Sequence, residues 1–309
     1  MIHMKKPLSA LIILALALSL LAGTSCSRKP EVKQRKTILV TYSVLGAAVQ
    51  ELAGQDFDVK VAIPNGMDVH EWGPSAKDIE ALTHADLIVK NGINLEEGME
   101  GSLAQAKKAG VPIFTASDYV PVRRVRSGEG VGSEDPDQQA GAEDPHLWTD
   151  PSNIKAIILA LSTELNRRFG VDLQAKAQSM ATELDSLDAE IKAKADSLPT
   201  AKRKLVTGHE SMGYFAQRYG FRLIGAVVPG LSSQAEVSAA ELSALKKTIA
   251  ESGASVIFTE VGTSESVVRA LSSELRVKAV PLSTHLVGPD GTYSGYLRTL
   301  SNTVLDNLK

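Results

Sequence analysis

Six histidines are spread over the 309 residues of this chain, and four of them occupy places from which a metal ion could be held. His70 closes the run Pro64-Asn65-Gly66-Met67-Asp68-Val69, just past a predicted strand. His146 lies in Glu143-Asp144-Pro145-His146-Leu147-Trp148, just ahead of a predicted helix. His209 directly follows the strand-like Leu205-Val206-Thr207-Gly208, and His285 follows Pro281-Leu282-Ser283-Thr284. Neutral imidazole is the commonest zinc ligand, and four such donors complete a tetrahedral site. Two histidines come from each half of the chain, as a site closed from both sides requires. On spacing alone the alternative stays open, that each is an ordinary loop or hydrogen-bonded histidine. His84, in Leu82-Thr83-His84-Ala85-Asp86, reads as exposed and structural, and His3 belongs to a leader segment.

Other residues bear on what such a site could do. A zinc hydrolase needs three protein ligands, a bound water and a general base. Glu210, beside His209, is the best base in the chain, but position 213 is Gly213 where the His-Glu-x-x-His signature needs its second histidine. A site that supplies four protein ligands leaves no position for water, which is the pattern of holding a metal and not of catalysis. Glu260, at the end of Val256-Ile257-Phe258-Thr259, could orient a ligand histidine, substitute as a ligand, or cap the next helix. The stretch from Ser127 to Glu143 is rich in Gly, Ser and acid and reads as a mobile loop; Glu134, Asp135, Asp137, Glu143 and Asp144 read as a solvated charge run.

The elements that must position these residues alternate in type. Strands are expected at 37–44, 58–63, 86–91 and 111–115, then at 204–207, 222–228, 255–259 and 278–282. A helix lies between the second and third strands, where Ser75 and Asp78 have the capping-box spacing. Asp150-Pro151 opens another, with Ile154, Ile157, Ile158, Leu161 and Leu165 on one face and Gly170 as its stop. Ser238 and Glu241 cap a third that ends at Gly253. From Asp172 to Leu198 there is neither Gly nor Pro, and Leu173, Ala177, Met180, Leu184, Leu187, Ile191, Ala195 and Leu198 recur at helical spacing. A coiled-coil strand is the bland reading; a spine joining two halves fits its place in the chain better. The expected architecture is therefore α/β, two lobes each with a mainly parallel sheet flanked by helices, joined by one long rigid helix. The lobes are placed at 37–171 and 199–309, with the linker helix at 172–198 and the site in the cleft between them.

Before the first strand, Lys5 and Lys6 precede an apolar run from Leu8 to Leu21, and Ala22-Gly23-Thr24-Ser25 leads to Cys26. This is the plan of a secretory signal peptide over residues 1–25. Cys26, the single cysteine, is expected to be lipidated and to anchor the mature chain to a membrane through a polar tether over residues 26–36. Removing the leader takes away two lysines and no acid, so the formal net charge moves from −3 to −5. That acidity argues against a nucleic-acid partner.

Four stretches carry a likeness to a known family. They are Pro64-Asn65-Gly66-Met67-Asp68-Val69-His70-Glu71-Trp72 with Pro74-Ser75; Asp144-Pro145-His146-Leu147-Trp148-Thr149-Asp150-Pro151; Val206-Thr207-Gly208-His209-Glu210-Ser211-Met212-Gly213-Tyr214-Phe215; and Ala235-Glu236-Val237-Ser238 with Leu242. In this order they resemble the zinc and manganese solute-binding lipoproteins of bacterial ABC importers. The resemblance implies a monomeric binding protein, periplasmic or at the cell surface, that delivers its metal to an importer permease. It implies one buried metal between two lobes, with three ligand positions falling on His70, His146 and His209. The family's fourth ligand is usually an Asp near the C-terminus; here no Asp stands at that point, and His285 takes its place. Imidazole donors suit zinc, whereas manganese prefers hard oxygen, so Zn²⁺ is the expected substrate with manganese or iron as the alternative. The histidine-rich loop of many zinc members is missing between Ser127 and Glu143. Some members carry an adhesin label, and no segment of this sequence points to an adhesive site.

Overall fold

The computed structural model describes residues 1, 35–126, 129 and 140–309. Cys26, the leader, nearly all of the tether and most of the acidic loop lie outside the described residues.

The first half builds a four-stranded sheet in the order β2-β1-β3-β4 from β1 (Thr37–Tyr42), β2 (Asp58–Ile63), β3 (Leu87–Lys90) and β4 (Ile113–Thr115). Every pairing is parallel, with Val40 opposite both Val61 and Val89. The central strands β1 and β3 are buried almost throughout, as the apolar runs Ile38-Leu39-Val40 and Leu87-Ile88-Val89 require of a sheet covered on both faces. The helices that cover it are α1 (Ser43–Ala53), α2 (Ala76–His84) and α3 (Glu100–Lys108). Ser75 and Asp78 form the expected capping box on α2. The strand expected over 37–44 stops at Tyr42, because Ser43 and Val44 already belong to α1.

Helix α4 (Pro151–Phe169) starts on an Asp150 carboxylate that accepts from Ser152 N, and ends on Gly170 at φ 69°. Helix α5 (Gln174–Ser197) follows; its 24 residues span about 36 Å at 1.5 Å each. Ala177, Met180, Ala181, Leu184, Leu187, Ile191 and Ala195 form its buried stripe, and it packs along α4.

The second half carries two parallel pairs, β5 (Lys204–Thr207) with β6 (Arg222–Ala226), and β7 (Val256–Thr259) with β8 (Lys278–Pro281), β5 running beside β7. Around them lie α6 (Gly213–Tyr219), α7 (Ala239–Ser252) and α8 (Glu265–Leu275). The capping box of Ser238 with Glu241 starts α7, and Gly253, at φ 67°, ends it. A small separate core of Val206, Ile224, Val227, Leu245, Ile249, Ile257, Val268 and Leu271 fills this half. The last helix, α9 (Tyr293–Asn307), turns back to pack on α5 and α1. The fold is the expected α/β type, two lobes of parallel strands flanked by helices with a long helix between them. Among the described residues no helix is long and apolar enough to cross a membrane.

Candidate metal centre

All four singled-out histidines are buried and meet between the halves, while His84 is exposed at the end of α2 with its Nδ1 2.8 Å from the Glu80 carbonyl. Three of them come off the carboxyl ends of β2, β5 and β8, and His146 stands just ahead of α4. His146 Nε2 lies 3.3 Å from His70 Nε2 and 3.1 Å from His209 Nε2. Among the described residues, His70, His146 and His209 form a cluster whose ligand atoms all lie within 4.8 Å of one another. Their ring centroids are 5.0–5.4 Å apart. The His285 ring sits farther out, 6.2 Å from His209 and 6.5 Å from His70, and its Nε2 is buried with no hydrogen-bond partner.

Each N-terminal histidine is held by an aspartate two residues before it. His70 N donates to Asp68 Oδ1 at 2.9 Å, and His146 N to Asp144 Oδ1 at 2.9 Å, the turn-closing bond that Asp favours. Asp144 Oδ1 is also 2.9 Å from His146 Nδ1, which turns Nε2 towards the cluster. Arg123 Nη1 donates to Asp144 Oδ2 at 2.9 Å, and the Tyr214 hydroxyl bonds both Arg123 N and the Asp144 carbonyl. Asp144, expected with its neighbours to belong to a solvated charge run, is therefore not part of one. It is fully buried, because a buried guanidinium neutralises it, whereas Glu143 pairs with Arg124 at the surface. Arg123 escaped the sequence reading altogether. The equal spacing of Asp68 to His70 and Asp144 to His146 was the available sign that both carboxylates serve their histidines.

The C-terminal pair shares a different carboxylate. Glu260 is buried at the end of β7; its Oε1 accepts from Ser211 Oγ at 2.8 Å and its Oε2 from Thr284 Oγ1 at 3.3 Å. The same Oε2 is 2.9 Å from His209 Nδ1, out of line with the ring N–H. Gly208 makes this approach possible, since a Cβ there would stand 3.0 Å from Glu260 Cβ and 2.2 Å from Thr263 Oγ1. The carboxylate thus reaches His209 and the residue before His285, and does not cap α8. Asp68 keeps its second oxygen buried and without a hydrogen-bond partner, above Gly262, whose φ of 84° only glycine adopts easily.

The His285 loop is tied to the opposite half. His285 O accepts from Ser43 Oγ at 3.0 Å and from Gly66 N at 3.1 Å, and Asn65 makes a reciprocal pair of 2.8 Å bonds with Val287. Trp148 Nε1 and the Tyr296 hydroxyl both donate to Thr284 O. On the other side of the site, Gln234 Nε2 donates to His70 O at 2.6 Å.

Burial and mutual repulsion set the protonation of the cluster. Burial, then the neighbouring histidines, push His70 and His146 well below the ordinary histidine range and His285 to about 4. Burial pulls His209 down too, but Glu260, with Asp68 and Asp144, outweighs it and holds this one ring above the usual value. Burial raises Asp144 to about 6 against the pull of Arg123, and raises Glu210 to about 7.

The family model ZnuA, zinc-uptake complex component A, periplasmic, matches residues 38–307. The chain belongs to this family. It is 31% identical over 273 residues to the zinc-binding protein TroA of Treponema pallidum, covering 85% of this chain and 83% of that one. It is 28% identical to the manganese ABC transporter substrate-binding lipoprotein PsaA of Streptococcus pneumoniae, covering 89% and 88%. The fold matches the solved periplasmic zinc-binding TroA with a TM-score of 0.75 at 26% identity, over 89% of this chain and 99% of that one. The laminin-binding adhesin Lmb of Streptococcus agalactiae, in a mutant structure, matches with 0.76 at 25%, over 89% and 100%. This member of the family is a metal-binding, substrate-binding protein of the ABC-importer class and not an enzyme, so the hydrolase reading built on Glu210 falls.

Proposed function

We propose that this chain captures Zn²⁺ between its lobes, with His70, His146, His209 and His285 as ligands, and delivers it to the permease of an ABC importer. The observation that carries the reading is the spacing of the three converged nitrogens. Zn–N bonds of about 2.0–2.1 Å set the edge of a tetrahedron at about 3.3–3.4 Å, and His146 Nε2 stands 3.1 and 3.3 Å from its two neighbours. The same bonds place the ring centroids of two imidazoles on one ion about 5.2 Å apart, in line with 5.0–5.4 Å for the three. His285, about 1 Å wider, supplies the fourth donor by a short inward shift that also gives its lone Nε2 a partner. The division into lobes at 37–171 and 199–309 about a linker at 172–198 belongs to this reading. So do the leader at 1–25, the lipid anchor at Cys26, export from the cytoplasm and a monomeric state.

Manganese is the second reading. It draws on the free, buried oxygen of Asp68, a hard donor beside the site, and on the manganese named for PsaA. The test is calorimetry with zinc and with manganese on residues 27–309, wild type beside His285→Ala. One tight zinc site, weak manganese binding and a loss of about 10–100-fold in zinc affinity on substitution are expected. Tight manganese binding, or indifference to His285→Ala, overturns the zinc and four-histidine reading.

A further inference from the structure

We propose that Glu260 is a positioning residue for two histidines at once. Directly for His209, and through Thr284 for His285, it fixes the proton on Nδ1 and leaves both Nε2 lone pairs for the ion. The inference rests on the four-histidine reading and deepens it.

The argument is a count of protons. A carboxylate only accepts, and a hydroxyl has a single proton to give. Thr284 Oγ1 gives its proton to Glu260 Oε2, so towards His285 Nδ1, 3.1 Å away, it can only accept. Nδ1 must then carry the hydrogen, and since a neutral imidazole has only one, Nε2 is bare. That Nε2 is buried with no hydrogen-bond partner. His209 Nδ1 stands 2.9 Å from the same Oε2 without an aligned hydrogen bond, and a bare Nδ1 lone pair there would face the carboxylate's negative charge, so the hydrogen stays on Nδ1 while Nε2 faces His146 Nε2. The arrangement is held from behind: Ser211 Oγ donates to Oε1, and Glu260 N donates to Thr263 Oγ1 at 3.1 Å. His146 is set by Asp144 instead, so losing Glu260 acts on the C-terminal pair alone.

Thr284→Val isolates the relay. The backbone of Thr284 is fixed through its carbonyl by Trp148 and Tyr296, so the substitution removes the hydroxyl and leaves the loop anchored. Long-range ¹H–¹⁵N correlation spectra of the imidazoles, recorded without zinc on residues 27–309 at a pH high enough to leave His209 neutral, separate the two tautomers. Wild type is expected to show Nδ1–H at His209 and His285. Thr284→Val should shift His285 alone towards Nε2–H and weaken zinc about tenfold, and Glu260→Gln should disturb both rings and cost about 10–100-fold. Nε2–H at His285 in the wild type, or a Thr284→Val protein with unchanged tautomers, overturns the inference whether or not Glu260→Gln folds. Failure of the zinc reading has another signature, a wild type that binds no zinc or whose His285 resonances zinc leaves unmoved, and the zinc-free tautomers still decide the relay.

Discussion

Replacing Asp144 by Asn tests the carboxylate behind His146 with little change of shape. Asp144 is completely buried; Oδ1 serves both the main chain and Nδ1 of His146, and Oδ2 serves Arg123, which is 7% exposed. An asparagine has one oxygen, so its amide group must face either Arg123 or the imidazole N–H, and donor then meets donor. If it faces Arg123, a buried guanidinium is left to Glu129 alone. Breaking a buried pair costs about 3–5 kcal/mol, and the remaining Glu129 contact keeps the loss near about 3 kcal/mol. For a chain of this size that lowers Tm by about 6–12 °C. Loss of the carboxylate behind a ligand histidine should weaken zinc about 10–100-fold, or about 1.4–2.8 kcal/mol. Thermal unfolding in chelator gives the first quantity, and competition against a chromophoric zinc chelator gives the second. A Tm within about 2 °C of wild type together with a zinc affinity within about threefold would refute the reasoning, because it would mean that neither the guanidinium nor the imidazole depends on the charge.

Three further outcomes follow from the geometry of the site and its loops. Burial holds His70, His146 and His285 below the ordinary histidine range, whereas Glu260 holds His209 above it, so zinc binding at about pH 6.5 should release at most about one proton, from His209, not four, and affinity should fall about tenfold per unit below the His209 pKa; calorimetry in buffers of different ionisation enthalpy counts the protons. The depressed rings also make the zinc-free protein lose stability as pH falls below about 6.5, about 3 kcal/mol for His285 alone by the time its value of about 4 is reached; His209 acts with the opposite sign, its contribution being present below about 6.5 and lost as pH rises through its folded value, and denaturant unfolding at pH 7 and 4.5 measures the sum. Asn65→Ala removes both bonds to Val287, worth about 2 kcal/mol at most, and should speed zinc release about tenfold with the association rate unchanged, as stopped-flow transfer to a chelator would show.

Much of this fold was readable because its signals are local. The two capping boxes, Asp150-Pro151, and the stops at Gly170 and Gly253 stand where the sequence placed them, since each depends on contacts within one turn. Helix α1 is the opposite case. Its apolar Val44-Leu45-Gly46-Ala47-Ala48-Val49 continues the run of β1, and Tyr42 offers no capping side chain, so nothing local marks the change from strand to helix. The histidines were legible because strand ends and a capped helix are local features too. Asp144 with Arg123 was not, for the two lie 21 residues apart across an acidic stretch, and burial at such a distance has no periodicity to betray it. Glu260 was visible as a residue with several possible roles, and its bonds to Ser211 and Thr284, 49 and 24 residues away, were what the sequence could not supply.

The return of α9 has a consequence for how the molecule comes into being. Tyr293 N donates to Glu51 Oε1 and Ser43 Oγ to His285 O, each pair separated by 242 residues. Closing a loop of that length costs about 5 kcal/mol of chain entropy. Tyr293, Tyr296, Leu297, Leu300 and Val304 complete the apolar cover against α1 and α5. A chain cut after residue 280 would therefore have an uncovered seam against α1 and α5 and a basin one histidine short. The segment from 281 to 309, which holds His285 and α9, is the fastener that closes both.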